Sequence, residues 1–158
     1  MAPEPPSVKE MLEHGWRYFS LHAGQRLQLF NFFIVLSGSL TAALAACIQK
    51  DGLFLAVGIA LGAFLAVLSI VFWKLDQRTA FLVKHAEDGI MELEAAFPIA
   101  TAKLLTREPA RTASRQQGFF LSRMWTYRVA FLVVFALMGL VGVSGSLVCL
   151  VRFVGWVS

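Results

Sequence analysis

Charge is scarce in this chain. Only 15% of its 158 residues are Asp, Glu, Lys or Arg, against about 25% in a soluble domain. Three stretches, Leu27–Gln49, Gly52–Trp73 and Val129–Val151, contain no charged residue at all. Each matches the roughly 20 residues an α-helix needs to cross a bilayer core. The spans also lack His, so facing acid, base and nucleophile groups within the bilayer are missing. That argues against an intramembrane enzyme, and no catalytic residue is expected. Cysteine is nearly absent: Cys47 and Cys149 stand alone, and with His14, His22 and His85 they fit no metal-ligand spacing. No metal or cofactor is expected. The polar remainder falls in two blocks, Met1–Arg26 and Lys74–Arg128, each too short for a soluble core of its own.

What is present is an all-α membrane protein. It has three transmembrane helices, an amphipathic N-terminal helix and a cytoplasmic helical stalk. The expected divisions are a head at 1–26, spans at 27–49 and 52–74, a stalk at 75–97, a basic segment at 98–128, a third span at 129–151 and an outer tail at 152–158. Lys50-Asp51 leaves only a tight link between the first two spans, which therefore form a hairpin. Arg128 and Arg152 bound the third, because charge at a helix centre is expensive.

Orientation follows from Lys and Arg. The hairpin link carries Lys50 and the tail carries Arg152. The block between the second and third spans holds nine, from Lys74 to Arg128, and the head holds Lys9, Arg17 and Arg26. The positive-inside rule places both blocks in the cytoplasm, with the N-terminus inside and the C-terminus outside. Trp73, Trp125 and Tyr127 then fall at one interface and Trp156 at the other. Leu44-Ala45-Ala46-Cys47 resembles a lipoprotein cleavage box, but 26 residues that include Glu4, Glu10 and Glu13 precede the apolar run and two spans follow, so cleavage is not expected. Cys47 and Cys149 come to the same outer end. They read as two buried small hydrophobes, with a disulfide facing an oxidising compartment as the alternative.

Small residues recur along every span, as close helix packing in lipid requires. Gly58, Gly62 and Ala66 form a stripe at spacing four on the second. Gly38, Ala42 and Ala46 repeat it on the first, and Ala136, Gly139, Gly142 and Gly145 line the third. Packing within or between protomers is the ordinary reading. The sharper one gives Asn31, Ser37 and Thr41 to a polar path or to interhelical hydrogen bonds.

In the head, Ser7-Val-Lys-Glu10 is a capping box. Val8, Met11, Leu12, Trp16, Phe19, Ala23 and Leu27 then recur at helical spacing, an amphipathic stripe fit for a membrane surface or another helix. Helical pattern runs unbroken from the second span to Phe97, where Pro98 ends it. Leu75, Leu82, Ala86, Gly89, Leu93 and Ala96 approximate a 3.5-residue seam that suits bundling with further copies. Lys84 and Asp88 are spaced to pair. Beyond Pro98, Lys103, Arg107, Arg111 and Arg115 recur every four residues, with Pro109 between them. This basic stripe suits lipid headgroups or the phosphates of a nucleotide or nucleic acid. Positive-inside charge is the plainer account. Phe119, Phe120, Met124 and Trp125 around Arg123 read as a short interfacial helix.

HAGQRLQLFNFF (His22–Phe33), FWKLDQRTAFLVKHAEDGIMELE (Phe72–Glu94), TREPARTA (Thr106–Ala113) and WTYRVAF (Trp125–Phe131) resemble the small bacterial membrane proteins called RipA-family octameric membrane proteins. The resemblance implies a homo-oligomer in the bacterial inner membrane, an octamer by the family's name, and supplies no catalytic residue. In size and layout the chain is also similar to compact membrane effectors of phage-defence systems.

The expected function is therefore a pore or channel-like homo-oligomer whose state is set from the cytoplasm, with Lys103, Arg107, Arg111 and Arg115 taking an anionic ligand. The alternative is a non-conducting scaffold that recruits a cytoplasmic protein through head and stalk.

Overall fold

A computed structural model describes residues 6–99, 102–107 and 127–157. Among these residues the fold is helical, without strands. Three long helices carry it: α1 (Val8–Ile48), α2 (Leu53–Glu94) and α3 (Tyr127–Val157). All three are long and apolar enough to cross a membrane.

The divisions between head and span, and between span and tail, are not breaks in the backbone. α1 is continuous through the expected boundary at 26/27, because no Gly-Pro or turn pair interrupts His22–Phe33. α3 likewise runs on past Val151 to Val157, so 152–157 continue the helix and do not form a separate tail. At the stalk's end the helix closes earlier than Phe97. α2 stops at Glu94, and Ala96 and Phe97 donate instead to Leu93 and Glu94, three residues back, at 3.2 and 3.0 Å. The residue before a proline is pushed out of helical geometry, so the last turn tightens before Pro98.

The chain divides into two compact units. One is formed by 28–76 with 126–158 and contains the apolar spans. Its interior has two layers. In the first, Phe33 is fully enclosed, packed by Phe72 at 5.4 Å and edge-on to Phe135 at 4.7 Å between ring centres, and Phe30 stacks on Phe131 at 3.9 Å. In the second, Leu44, Leu55 and Cys149 meet. Between the layers the helices touch backbone to backbone. A Cβ built on Gly62 would lie 2.6 Å from Gly142 O and 2.8 Å from Ser146 N, so only glycine fits there. One built on Gly145 would collide with Leu44. Ser146 Oγ donates to Ile59 O across the helix pair at 3.0 Å.

The hairpin link turns at Gly52, whose φ of 66° lies in the left-handed region that favours glycine. Asp51 in this link pairs with Arg152 of α3 at 2.8 Å, and the same guanidinium donates to Ile48 O.

The other unit comprises 1–27 and 77–125. Here the first half of α1 lies against α2. Ala86 and Ile90 are buried, and Gly15 lets the two helices close to the point where an added Cβ would stand 3.1 Å from Ile90 Cγ1. Part of the α2 seam is thus covered by the chain's own N-terminal helix. The capping box forms: Glu10 accepts from Ser7 N at 2.8 Å and from Ser7 Oγ at 2.9 Å, and Ser7 Oγ accepts from Glu10 N at 3.3 Å. Those bonds hold the Glu10 carboxyl below its usual range.

Candidate functional site

The basic segment begins at the C-terminus of α2, where the helix leaves carbonyl groups without intrahelical donors. Glu94 is the pivot. The residue is buried, and its carboxylate accepts from Leu105 N at 3.1 Å, Thr106 N at 2.9 Å and Thr106 Oγ1 at 2.7 Å. Burial works to raise the Glu94 pKa, but the bonds from Thr106 and Leu105 outweigh it and leave the group below its usual value. Lys103 Nζ donates to Ala95 O at 3.3 Å, placing a cation at the negative end of α2. A single helical turn at 104–107 follows, with Arg107 exposed on it. Lys103 and Arg107 are therefore brought to one place, the end of the stalk. Arg111 and Arg115, like Pro109 and the aromatic cluster at Phe119–Trp125, lie outside the described residues.

Sequence reasoning missed Glu94. It reads as one more acidic residue on a solvated stalk, and its partners lie eleven and twelve positions on. A negative residue at a helix C-terminus, unfavourable by itself, is the one local signal that marks it.

Lys84 does pair with Asp88, at 3.2 Å, and also reaches Glu87 at 3.3 Å. The hydrogen bond to Asp88 is the main reason the Lys84 ammonium is held above its usual pKa. Nearby, His14, Tyr18 and His85 edge a groove of about 420 Å³ floored by Gly15, Ala86 and Ile90. The open space at Gly89, where a Cβ would meet nothing within 4 Å, widens it. Among the described residues no three His, Cys, Asp or Glu side chains cluster as a metal site would require.

In the spans, Asn31, Ser37 and Thr41 do not make one row. Asn31 is exposed, whereas Ser37 is enclosed at 1% exposure by the helices around it. Ser37 Oγ donates to Ile34 O at 3.3 Å and Thr41 Oγ1 to Ser37 O at 2.7 Å, so both hydroxyls are satisfied by α1 itself. Gly58, Gly62 and Ala66 face α3. A Cβ on Gly58 would meet Cys149 Sγ at 2.5 Å, and one on Gly142 would meet Ala66 N at 2.8 Å. Gly38 has nothing within 4 Å, and Ala42 and Ala46 beside it are exposed. A second open surface, a groove of about 440 Å³, runs between α2 and α3 along Ala66, Ser69, Trp73, Phe135, Gly139 and Val143.

No protein-family model and no solved structure matches the chain, and the RipA-family resemblance gains no support from either comparison. Among curated proteins, CD-NTase-associated protein 19 of Escherichia coli is 36% identical to it over 131 residues, which cover 83% of this chain and 85% of that one.

Proposed function

The chain belongs to the family of CD-NTase-associated protein 19, and from that premise we propose that it is a non-enzymatic membrane effector of bacterial phage defence. In this reading it sits in the inner membrane with its N-terminus in the cytoplasm and its C-terminus outside. Several copies assemble there into a pore or channel-like structure, an octamer being the number the RipA-family resemblance implies. The name of the relative ties it to a nucleotidyltransferase, so the anionic ligand that sets its state is a nucleotide, met by Lys103 and Arg107 and by Arg111 and Arg115 further along.

The observation that carries the assembly is the incomplete burial of the spans. Only 22%, 28% and 22% of their most apolar windows are buried within one copy. Most of each span's surface is left uncovered by its own chain, so in this reading several chains together build the path. In this reading the two open surfaces of neighbouring copies meet. On α1, Gly38 and Ala42 lie about 140° and 180° around the helix from Phe33, away from its packed face. The groove opens where α2 and α3 meet. Gly38 and Ala42 lie between Phe33 and Leu44 on α1, and the groove starts at the Phe33–Phe72–Phe135 layer and runs toward the Leu44–Leu55–Cys149 layer, so the two surfaces overlap in depth. Copies related by rotation about the membrane normal keep their depth, so a small-residue face of one copy meets the groove of the next, in the head-to-tail manner that closes rings.

Flux from liposomes loaded with a fluorescent dye tests this function. The full chain should release dye when a nucleotide from a panel of cyclic and linear forms is added, and remain tight without it. An absence of flux with every nucleotide, together with stable capture of a cytoplasmic protein partner, would establish the scaffold instead. The observation favouring the scaffold is the enclosure of Ser37, which leaves Gln28, Asn31, Ser39, Gln49 and Ser144 as the exposed polar groups among the described residues of the three spans.

A further inference from the structure

Cys47 and Cys149, separated by most of the chain, meet across α1 and α3. A single point, the position a Cβ would take on Gly58, lies 3.1 Å from Cys47 Cβ and 2.5 Å from Cys149 Sγ. Gly58 is thus a gap in α2 that both cysteines border. Both are free thiols, 7% and 0% exposed. One turn further along α3, Arg152 binds Asp51 and Ile48 O and so holds the end of α1 and the hairpin link in register with α3 beside the two thiols.

We propose that Cys47 and Cys149 form a redox-sensitive thiol pair that closes to a disulfide joining α1 to α3. The reaction is thiol–disulfide exchange with an oxidant of the disulfide class. Cys47, the less enclosed of the two, attacks as its thiolate. It forms a mixed disulfide and releases one thiolate of the oxidant. Cys149, as its thiolate, then attacks the Cys47 sulfur and expels the second. Two electrons pass to the oxidant, which leaves as a dithiol or two thiols. The two protons given up by the cysteines are taken up by the departing thiolates. Closure converts a contact between the first and third spans into a covalent tie at the end where the hairpin turns. It does so without involving the basic segment, so its fate is independent of the ligand reading above.

The test is thiol counting on the full chain in liposomes. Diamide, an azo compound, stands in for the disulfide: one cysteine sulfur adds to an azo nitrogen, and the other attacks that sulfur and expels the two-electron-reduced hydrazine. After treatment with diamide, the chain is denatured in detergent and reacted with a maleimide carrying a polyethylene glycol chain. Untreated protein should gain two adducts. Oxidised protein should gain none while migrating as a monomer, and dithiothreitol should restore both. Cys47→Ser and Cys149→Ser should each keep their one adduct after oxidation. Gly58→Ala, which puts a methyl group into the gap, should slow closure at least several-fold. Two adducts persisting in liposomes, when the detergent-denatured chain oxidises under the same diamide, overturn the proposal. So does a disulfide that forms only between chains.

Discussion

At the residue scale, Glu94 is the side chain whose removal has the sharpest local consequence. Three donors converge on its carboxylate in part-buried bonds, and bonds to a charged group contribute about 1.5–3 kcal/mol each. Glu94→Ala should therefore release Leu105 and Thr106 from the end of α2, and hydrogen exchange at those two amides should accelerate by tenfold or more. The sign of the pH effect follows from the direction of the shift. Because the folded pKa lies below the unfolded value, which is about 4.3 for Glu, the contribution is complete above that value. It fades as pH falls through the folded pKa. Exchange at Leu105 and Thr106, corrected for its intrinsic pH dependence, should show protection that is flat at neutral pH and lost only in acid. Two glycines make a contrasting pair. Gly62→Ala drives a methyl group into the backbone of α3 and should cost about 1–3 kcal/mol, the range for overpacking. Gly89→Ala meets open space inside a helix and should gain about 0.5–1 kcal/mol. Thermal unfolding in detergent of the two variants beside the parent checks both signs.

The elements differ in how much the sequence reveals of them. Three helices are legible because a charge-free run of span length has few alternatives in a membrane. The start of α1 is legible because Ser7 and Glu10 form a box from neighbours three apart. Ser7→Ala should fray that end, at a cost of about 0.5–2 kcal/mol seen as faster exchange in the first turn. Long-range contacts leave no such local trace. The Asp51–Arg152 pair reads in sequence as two boundary charges, and nothing local announces that they meet. Half-exposed as it is, the pair should contribute no more than about 1 kcal/mol, so Asp51→Asn should barely move the thermal midpoint. The enclosure of Ser37 was hidden for another reason. Small residues occupy several sides of α1, and composition alone does not say which side faces α2 and α3. Phe33 and Leu44, four and seven positions from Ser37, hold the answer, because bulky residues fill the interior once the glycines of α2 and α3 have brought those helices together.

On the scale of the whole molecule, three helices long and apolar enough to cross a membrane bury too little of one copy to explain their small residues. Leu, Val and Phe serve equally well against lipid tails, whereas Gly38 and Ala42 gain nothing there and lose side-chain contact. Their place away from the packed face of α1 makes sense where another backbone approaches, since close approach is what small residues contribute in lipid. The proposed assembly turns that argument into an expected result. Gly38→Leu and Ala42→Leu add bulk where one copy has empty space, so the fold of the protomer should survive, with helicity and thermal midpoint near those of the parent. The oligomer should not survive, and native mass spectrometry from detergent should show the parent ring replaced by monomers and small species. Dye release from liposomes should fall with it. Ala136→Leu on α3 tests the other side of the same contact, because it fills the groove between α2 and α3 and should dissociate the assembly alone, just as the α1 variants do. An oligomer unchanged by all three substitutions would place the contact elsewhere on the chain. Loss of assembly with the protomer intact would join the empty face of α1 to the open groove as two halves of one interface.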